Sequence, residues 1–157
     1  MSMDKHEERV KDFIRVNGIQ AEHRHFEQSC HTVEEAAQAV GADPGMLVKN
    51  VCMVDSSGEM IVAIVKGDDR VSASRVQKAL SLEERPSIAS PEQILGKSGY
   101  PVGGVPSFGY EAVFLVDPRV TEMKEVWTGG GSDHSLIRVS PEEILRANSA
   151  RVARVRK

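Results

Sequence analysis

The pattern of apolar and polar residues divides the chain into alternating helices and strands. Over residues 4–17, apolar side chains recur every three or four positions among charged ones, which predicts an amphipathic helix. Residues 20–26 alternate weakly and predict a short strand. Thr32 and Glu35 then form a capping-box sequence, because the two side chains can satisfy free N–H groups at a helix start. We expect that helix to end at Gly41.

Strand-like segments dominate the rest of the chain. Residues 47–54 and 60–65 are rich in β-branched and apolar residues, and the polar segment with a glycine between them predicts a hairpin. Serine caps predict further helices, and three short apolar runs predict further strands. These helices begin near Ser72, Ser90 and Ser140, and these strands cover residues 112–116, 126–128 and 136–139.

Strands joined by short turns and interleaved with helices favour a mixed α/β (α+β) fold, with a mixed or antiparallel sheet flanked by helices. No linker, repeat or low-complexity segment divides the chain, so we expect one domain over residues 1–157. From about residue 149 the sequence is basic and carries no acidic residue. That composition predicts a flexible tail, or alternatively a segment that contacts RNA phosphates.

Composition and charge exclude several classes of protein. The chain is 40% hydrophobic and 27% charged, with a net charge of −3, which is ordinary for a globular protein and gives no general attraction to nucleic acid. No apolar run approaches the roughly 18 residues of a membrane span. The N-terminus lacks the apolar region of a secretory signal. We therefore expect a cytoplasmic protein with no membrane partner.

The cysteine and histidine patterns suggest two kinds of chemistry that the spacing does not support. Cys30 precedes His31, and a histidine can activate a thiolate, but neighbours on a strand point to opposite faces. His23 and His25 could bind zinc only with a further ligand, and no cysteine pair or carboxylate stands at metal-ligand spacing. We expect neither a metal nor a cofactor.

Two glycine-rich segments carry the main functional signal. Residues 99–109 contain four glycines and two prolines, a composition typical of a rigid, shaped loop whose amide groups can face a ligand. Residues 129–135 place three glycines before polar residues, and successive amides there can bind an anion. Neither segment matches a nucleotide phosphate-binding motif, which argues against an ATPase or a dinucleotide enzyme.

Two polar residues stand out beside these segments. Lys49 interrupts the apolar run of residues 47–54, so either its stem extends to water or its ammonium meets a phosphate or carboxylate in a cleft. His134 follows the three glycines among an aspartate and two serines, either as a structural residue or as part of a site. The residues alone leave both alternatives open.

Three motifs, in this order and spacing, resemble the YbaK/ProX family of aminoacyl-tRNA editing domains, which are related to the editing insertion domain of bacterial prolyl-tRNA synthetase. The motifs are Val48-Lys49-Asn50, the GxxP loop Gly103-Gly104-Val105-Pro106, and residues 129–145. The resemblance extends from about His25 to Leu145. It implies a curved sheet around a pocket that takes the aminoacylated end of tRNA.

The resemblance also implies roles for individual residues. Lys49 would hold the terminal nucleotide and orient the ester, and the loop of Gly104 would bring backbone amides to the reacting carbonyl. The segment that ends at His134 would line the opposite side of the pocket. The candidate catalytic residues are Lys49, Gly104 and His134, and the candidate substrate-binding residues are His31, Asn50, Gly103, Val105, Pro106, Gly130, Gly131, Ser132 and Asp133.

The implied activity is that of a trans-acting aminoacyl-tRNA deacylase, which uses water and amide donors to hydrolyse the ester of Ala- or Cys-tRNA(Pro). The residues Lys49, Asn50 and His134 resemble the branch that clears alanine, whereas Pro106-Ser107 departs from the commoner Pro-Pro. The expected partners are the aminoacylated end of tRNA and a prolyl-tRNA synthetase, and we expect a monomer or homodimer. The alternatives are a non-catalytic module that binds the same RNA ends and a hydrolase of unrelated esters.

Overall fold

A computed structural model describes residues 4–157, which form six α-helices and eight β-strands. One turn of 3-10 helix at Pro44–Met46 precedes the second strand. The helices are α1 (Lys5–Val16), α2 (Val33–Val40), α3 (Ala73–Leu80), α4 (Pro91–Ser98), α5 (Pro118–Thr121) and α6 (Pro141–Asn148). The strands are β1 (Ala21–His25), β2 (Val48–Val54), β3 (Met60–Lys66), β4 (Ser87–Ile88), β5 (Val113–Val116), β6 (Val126–Gly129), β7 (Ser135–Val139) and β8 (Arg151–Val152).

The strands form two sheets. One has three antiparallel strands in the order β1-β7-β6, and the other has five strands in the order β4-β2-β3-β5-β8. In the larger sheet β2 pairs antiparallel with β3 and β4, whereas β5 pairs parallel with β3 and β8. An isolated backbone bridge between Leu47 and Trp127 connects the two sheets. The mixed α/β class with flanking helices is confirmed, and the strands are shared between two sheets.

The five-stranded sheet is covered on both faces, because side chains of a strand alternate between them. Val62 and Ile64 of β3 pack with Val10 of α1 and Ile144 of α6, on what we call the α1 face. Ile61, Ala63 and Val65 pack on the opposite, α3 face, with Val76 of α3 and Val155 near the C-terminus. The resulting near-continuous apolar sequence of β3 is typical of a strand that is buried on both sides.

Side-chain caps fix the helix starts where the sequence predicted them. Thr32 Oγ1 accepts the N–H of Glu35, and the Glu35 carboxylate accepts the N–H of Thr32, which completes the expected capping box. Ser90 and Gln93 form a second capping box at α4. None of the helices within residues 4–157 has the length and apolar character needed to cross a bilayer.

The expectation of a flexible tail from about residue 149 is corrected by the structure. The segment pairs with the edge of the large sheet through β8, and Val155 is fully buried. The buried carboxylate of Asp117 accepts the backbone N–H groups of Val155 and Arg156 at 3.0 and 3.2 Å, and the Arg156 guanidinium at 2.8 Å. Basic and apolar residues are interspersed in this segment, and the burial of Val155 together with the contacts of Asp117 fixes it.

Candidate active site

A cavity of about 300 Å³ opens where the two sheets meet. It lies at the free edge of β2, because β4 pairs only with Met53 and Val54 at the far end of that strand. The first glycine-rich loop and the segment before α2 close its other sides. Leu47, Val33, Ala36, Trp127 and Leu136 form an apolar part of its lining.

Five of the expected site residues meet in this cavity. They are His31, Lys49, Asn50, Gly103 and Val105. The apolar lining, notably Trp127 and Leu136, could not be predicted from the sequence, because a strand residue beside a cavity has the same pattern as one in the core.

Lys49 is half-buried in the cavity wall. No carboxylate lines the cavity, and within residues 4–157 the Lys49 ammonium has no hydrogen-bond or ion-pair partner. A partly buried charge without a counter-charge is unfavourable unless a ligand supplies one. The sequence left two alternatives for Lys49: a stem that extends to water, or an ammonium that meets a ligand in a cleft. The second fits the structure better, since this ammonium lies in a cleft that can receive an anionic or carbonyl oxygen.

Asn50 holds the first glycine-rich loop against the strands. Its amide donates to the Val105 carbonyl and to Thr128 Oγ1, both at 2.9 Å. The Ser107 hydroxyl donates to Asn50 Oδ1 at 2.7 Å and lies 2.7 Å from Thr128 Oγ1. Ser107 thus completes a hydrogen-bond network among β2, β6 and the loop. Such a network fixes the loop because every member has a partner.

The two glycine-rich segments pack backbone against backbone. The Gly131 N–H donates to the Gly104 carbonyl at 2.8 Å. A Cβ atom at Gly104 would come within 2.7 Å of the Gly131 carbonyl carbon and the Ser132 nitrogen, so no larger residue fits there without a shift. Gly103 has φ +89° and packs against the His31 imidazole. The glycines are needed for this close approach and for the turn.

The second segment lies behind the first and supports it. Of its residues only Gly129 lines the cavity, and Gly130, Gly131, Ser132, Asp133 and His134 do not. The Asp133 carbonyl accepts the Cys30 N–H at 2.6 Å, and the His134 carbonyl accepts the Phe26 N–H at 2.7 Å. These bonds fix the chain just before His31. The His134 ring is hydrogen-bonded to Asp133 at 2.7 Å, outside the cavity.

The buried carboxylate of Glu7 anchors this second segment to α1. It accepts the Ser132 hydroxyl at 2.7 Å and the His25 Nδ1–H at 2.9 Å. His23 Nε2 lies 2.8 Å from the Gly130 carbonyl, which can only accept, so this nitrogen carries the proton. Burial lowers the pKa of His23, although the Gly130 carbonyl and Glu7 oppose that shift. His23 and His25, the two histidines considered as zinc ligands, are thus hydrogen-bonded to the Gly130 carbonyl and the Glu7 carboxylate, respectively.

In the part of the chain that the structure describes, the backbone N–H groups that lack an acceptor near the cavity are not the Gly104 amide that the family resemblance implied. The Gly104 N–H donates to the Pro101 carbonyl at 3.0 Å and closes a turn. The amides of Gly130 and Gly131 are likewise engaged, with Ser135 and Gly104. For the N–H groups of Gly103 and Val105, by contrast, residues 4–157 offer no acceptor. Pro106 is buried, and its carbonyl accepts the Tyr110 hydroxyl at 2.6 Å.

The cavity thiols are not nucleophiles. Burial, reinforced by Glu35 and Asp133, raises the pKa of Cys30 to about 11, and burial raises the pKa of Cys52 to about 11. Both therefore stay protonated near neutral pH, whereas thiol nucleophiles react as thiolates. Cys30 and His31 lie in a loop rather than on the strand that the sequence analysis assumed. The conclusion against a Cys30 nucleophile stands on burial instead of on strand geometry.

Comparison with known proteins identifies the family. Residues 27–147 match the aminoacyl-tRNA editing domain. Protein YwhH of Bacillus subtilis is 25% identical over 129 residues, which cover 81% of each chain. The proline–tRNA ligase of Nitratidesulfovibrio vulgaris is 32% identical over 83 residues, which cover 53% of this chain and 14% of the ligase.

Solved structures agree with this match. A protein proposed to be a trans-editing enzyme for prolyl-tRNA synthetase is 28% identical, with a TM-score of 0.90 over 99% of both chains. Hypothetical protein APE2540 is also 28% identical, with a TM-score of 0.87 over 95% of this chain and 99% of its own. The chain therefore belongs to the aminoacyl-tRNA editing domain family and is an enzyme of the aminoacyl-tRNA deacylase class.

Proposed function

We propose that the protein acts in trans on tRNA(Pro) and removes a wrongly attached small amino acid, alanine or cysteine. The observation that carries the proposal is Lys49, whose ammonium lines the cavity with no counter-charge within residues 4–157. An aminoacylated tRNA end offers phosphate and ester oxygens to such a group. The likeness to proline–tRNA ligases and to a proposed trans-editing enzyme supports tRNA(Pro) as the carrier.

The size and lining of the cavity support a small, uncharged amino acid. Its volume of about 300 Å³ is at the low end of ligand sites, which commonly measure roughly 300–1,000 Å³. Trp127, Leu136 and Leu47 contribute apolar surface, and no lining residue is acidic. A positively charged side chain would lose its hydration there without gaining a counter-charge.

Hydrolysis in this site is proposed to proceed by direct attack of water on the ester carbonyl. The Gly103 and Val105 N–H groups, which lack acceptors within residues 4–157, would stabilise the oxyanion in place of Gly104. Losing one such donor typically raises the barrier by roughly 3 kcal/mol. The bond to the ribose oxygen then breaks, that oxygen takes the proton, and the amino acid and tRNA leave.

Groups around this centre would position the substrate rather than form bonds. Lys49 would orient the ester and the terminal nucleotide, and His31, which packs against the Gly103 turn, would contact the substrate from the opposite wall. Asn50 would act by holding the Val105 loop. His134 and its segment would act by fixing both loops from behind. We further propose that the enzyme works in the cytoplasm, alongside the synthetase that supplies its substrate.

A panel of mischarged tRNAs tests the proposal. Wild-type protein should release alanine or cysteine from tRNA(Pro) at least tenfold faster than the spontaneous rate, and should leave Pro-tRNA(Pro) intact. Release of neither amino acid above the spontaneous rate would refute the assignment to tRNA(Pro). The preferred substrate of the panel identifies the amino acid.

Substitution of Lys49 tests the residue that carries the proposal. Lys49→Ala should lower kcat/KM by at least tenfold, which corresponds to about 1.4 kcal/mol of transition-state stabilisation. Lys66→Ala is the matched control, because Lys66 is also half-buried and lies beside Val48 in the register of β3 but does not line the cavity. Equal kcat/KM for the two variants would remove Lys49 from the site.

A further inference from the structure

The C-terminal segment lies alongside α3 over the whole length of that helix. The Lys157 N–H donates to the Arg70 carbonyl at 2.8 Å, and the Ser72 N–H at the start of α3 donates to the Val155 carbonyl at 2.7 Å. At the other end of α3 the Arg151 guanidinium donates to the Ala79 carbonyl at 2.7 Å. Residues 151–157 and 70–79 therefore run side by side in opposite directions, and both are fixed.

This arrangement concentrates positive charge on a protein whose net charge is −3. Residues 70–79 and 151–157 contain seven cationic residues and no acidic one. Arg156 is neutralised by the buried Asp117. We call the six others, all of them exposed, the basic face: Arg70, Arg75, Lys78, Arg151, Arg154 and Lys157.

Neighbouring carboxylates do not neutralise the basic face. Asp69 is paired with Arg119 at 3.0 Å, and Asp117 with Arg156 at 2.8 Å. Asp68 and Glu83 lie outside residues 70–79, before and after that segment in the sequence. Within residues 4–157, no salt bridge involves Arg75 or Arg154. Unpaired cations held close together repel one another, and a polyanion relieves that repulsion.

The basic face is on the same side of the five-stranded sheet as Lys49. Regular alternation along β2 places Lys49, Val51 and Met53 on the α3 face, where Val51 and Met53 pack. The register partner of Lys49 is Val65, which packs in one cluster with Val76 of α3. The Lys49 side chain and α3 therefore lie on one side of the five-stranded sheet.

We propose that the basic face binds the sugar–phosphate backbone of tRNA outside the aminoacylated end, and so adds affinity for the folded RNA. The proposal rests on the proposed function, because it takes the cavity to hold the end of that RNA. Phosphate contacts of this kind give affinity without reading sequence. The basic face therefore raises affinity for tRNA generally, and the cavity selects the amino acid.

Charge reversal at two positions tests the basic face. Arg75→Glu with Arg154→Glu removes two exposed cations that make no salt bridge within residues 4–157. Arg15→Glu with Lys124→Glu is the matched control. It changes the net charge equally, on exposed residues in or next to α1 and α5, which pack on the α1 face. Unchanged circular dichroism and melting temperature show that both variants fold.

The readouts separate backbone binding from chemistry. Fluorescence anisotropy with uncharged tRNA should show at least a tenfold higher Kd for the basic-face variant, and a salt dependence of log Kd smaller by about 1–2, since each phosphate contact contributes roughly 0.7–0.9. Its KM for mischarged tRNA should rise by the same factor with kcat unchanged. Hydrolysis of an aminoacyl ester of adenosine should be unaffected.

The outcomes distinguish this proposal from the proposed function. A Kd and a salt slope equal to those of the control variant would overturn the basic face, even if the wild-type protein hydrolyses mischarged tRNA. A kcat that falls with KM unchanged would also overturn it, since that result indicates a disturbed site. Conversely, salt-dependent tRNA binding that is lost only in the basic-face variant supports the surface, even if no ester is hydrolysed.

Discussion

Polar side chains in the cavity differ in whether other residues of the protein give them a hydrogen-bond or ion-pair partner. The thiols of Cys30 and Cys52 are buried, and their pKa values near 11 keep them protonated. The Asn50 amide has partners in Val105, Thr128 and Ser107. Lys49 has none within residues 4–157. A partly buried ammonium without a counter-charge is unfavourable, and this supports the proposed contact of Lys49 with the substrate.

Cys30→Ala is expected to keep kcat/KM within about twofold of wild type, because water attack needs no thiolate. The assay is the rate of deacylation of the preferred mischarged tRNA. Mass spectrometry of the quenched reaction should show no acyl group on the protein. A loss of a hundredfold or more in a folded Cys30→Ala protein would instead make Cys30 a nucleophile.

How far single residues could be predicted from the sequence depends on how unusual each is in its context. Lys49 is a charge inside an apolar strand, and the structure places it in the cavity. Trp127 is apolar within an apolar strand, and nothing local distinguishes it from the core. His134 stands in a segment rich in glycine and polar residues, yet that composition serves hydrogen bonds within the protein, and its catalytic role stays a prediction.

At the scale of elements, the two glycine-rich segments act as one unit. Gly104 and Gly131 share a hydrogen bond, and Asn50 and Ser107 hold the same loop from the side of the strands. Glu7 then attaches the second segment to α1 through Ser132. The position of the Gly103 and Val105 amides at the cavity is thus determined in part by residues that do not line it, Gly104 and Ser132 among them.

Gly104→Ala is expected to lower the free energy of unfolding by about 1–3 kcal/mol, the usual range for overpacking, because its Cβ would approach Gly131 and Ser132 backbone atoms at 2.7 Å. Deacylation should fall at least tenfold, since the loop must shift. Gly96→Ala is the matched control. Gly96 lies within α4 with open space around it, so the substitution should stabilise the protein by about 0.5–1 kcal/mol.

Urea denaturation and the deacylation assay check both substitutions. Equal stability of the Gly104→Ala and Gly96→Ala proteins would show that the two loops do not need their close backbone contact.

Elements with local signals were predicted well. α1, α2 and the β2–β3 hairpin follow from periodicity, a capping box and a turn. β4, β8 and the four-residue α5 were missed, because two-residue strands and a single helical turn have too few positions to show a period. Their existence depends on partners elsewhere in the chain. The same cause explains why the sequence predicts a flexible tail from about residue 149.

Over the whole molecule, Asp117 joins the end of β5 to the C-terminal segment. Burial opposes its ionisation, but the N–H groups of Arg119, Val155 and Arg156 and the Arg156 guanidinium outweigh burial, and the pKa of Asp117 is lowered. A carboxyl whose pKa is lower in the folded state stabilises the fold at pH values above its unfolded pKa. That stabilisation is lost as the pH falls through the folded pKa.

Asp117→Asn is expected to lower the free energy of unfolding at pH 7 by about 3 kcal/mol, because a buried ion pair loses one partner. The wild-type protein should lose stability as the pH falls below about 4, and the variant should lose less over that range, since it has no carboxylate to protonate there. Urea denaturation at several pH values measures both effects.

Asp68→Asn serves as the control for Asp117→Asn. Asp68 is an exposed carboxylate, and its substitution should change stability by no more than about 0.5 kcal/mol. A variant at Asp117 as stable as this control would show that the C-terminal segment is held by its apolar contacts alone.

The small sheet has a consequence for the kinetics of folding. β1 pairs only with β7 within residues 4–157, and His23 reaches Gly130 across 107 positions of sequence. Contacts so distant in the chain form slowly, because a long loop must close before any bond rewards it. The β2–β3 hairpin can form early. The apolar end of the cavity joins Trp127 and Leu136 of the β6–β7 hairpin to Leu47, which lies far from them in the sequence. We therefore expect a refolding chain to complete this end of the cavity only after both hairpins have formed.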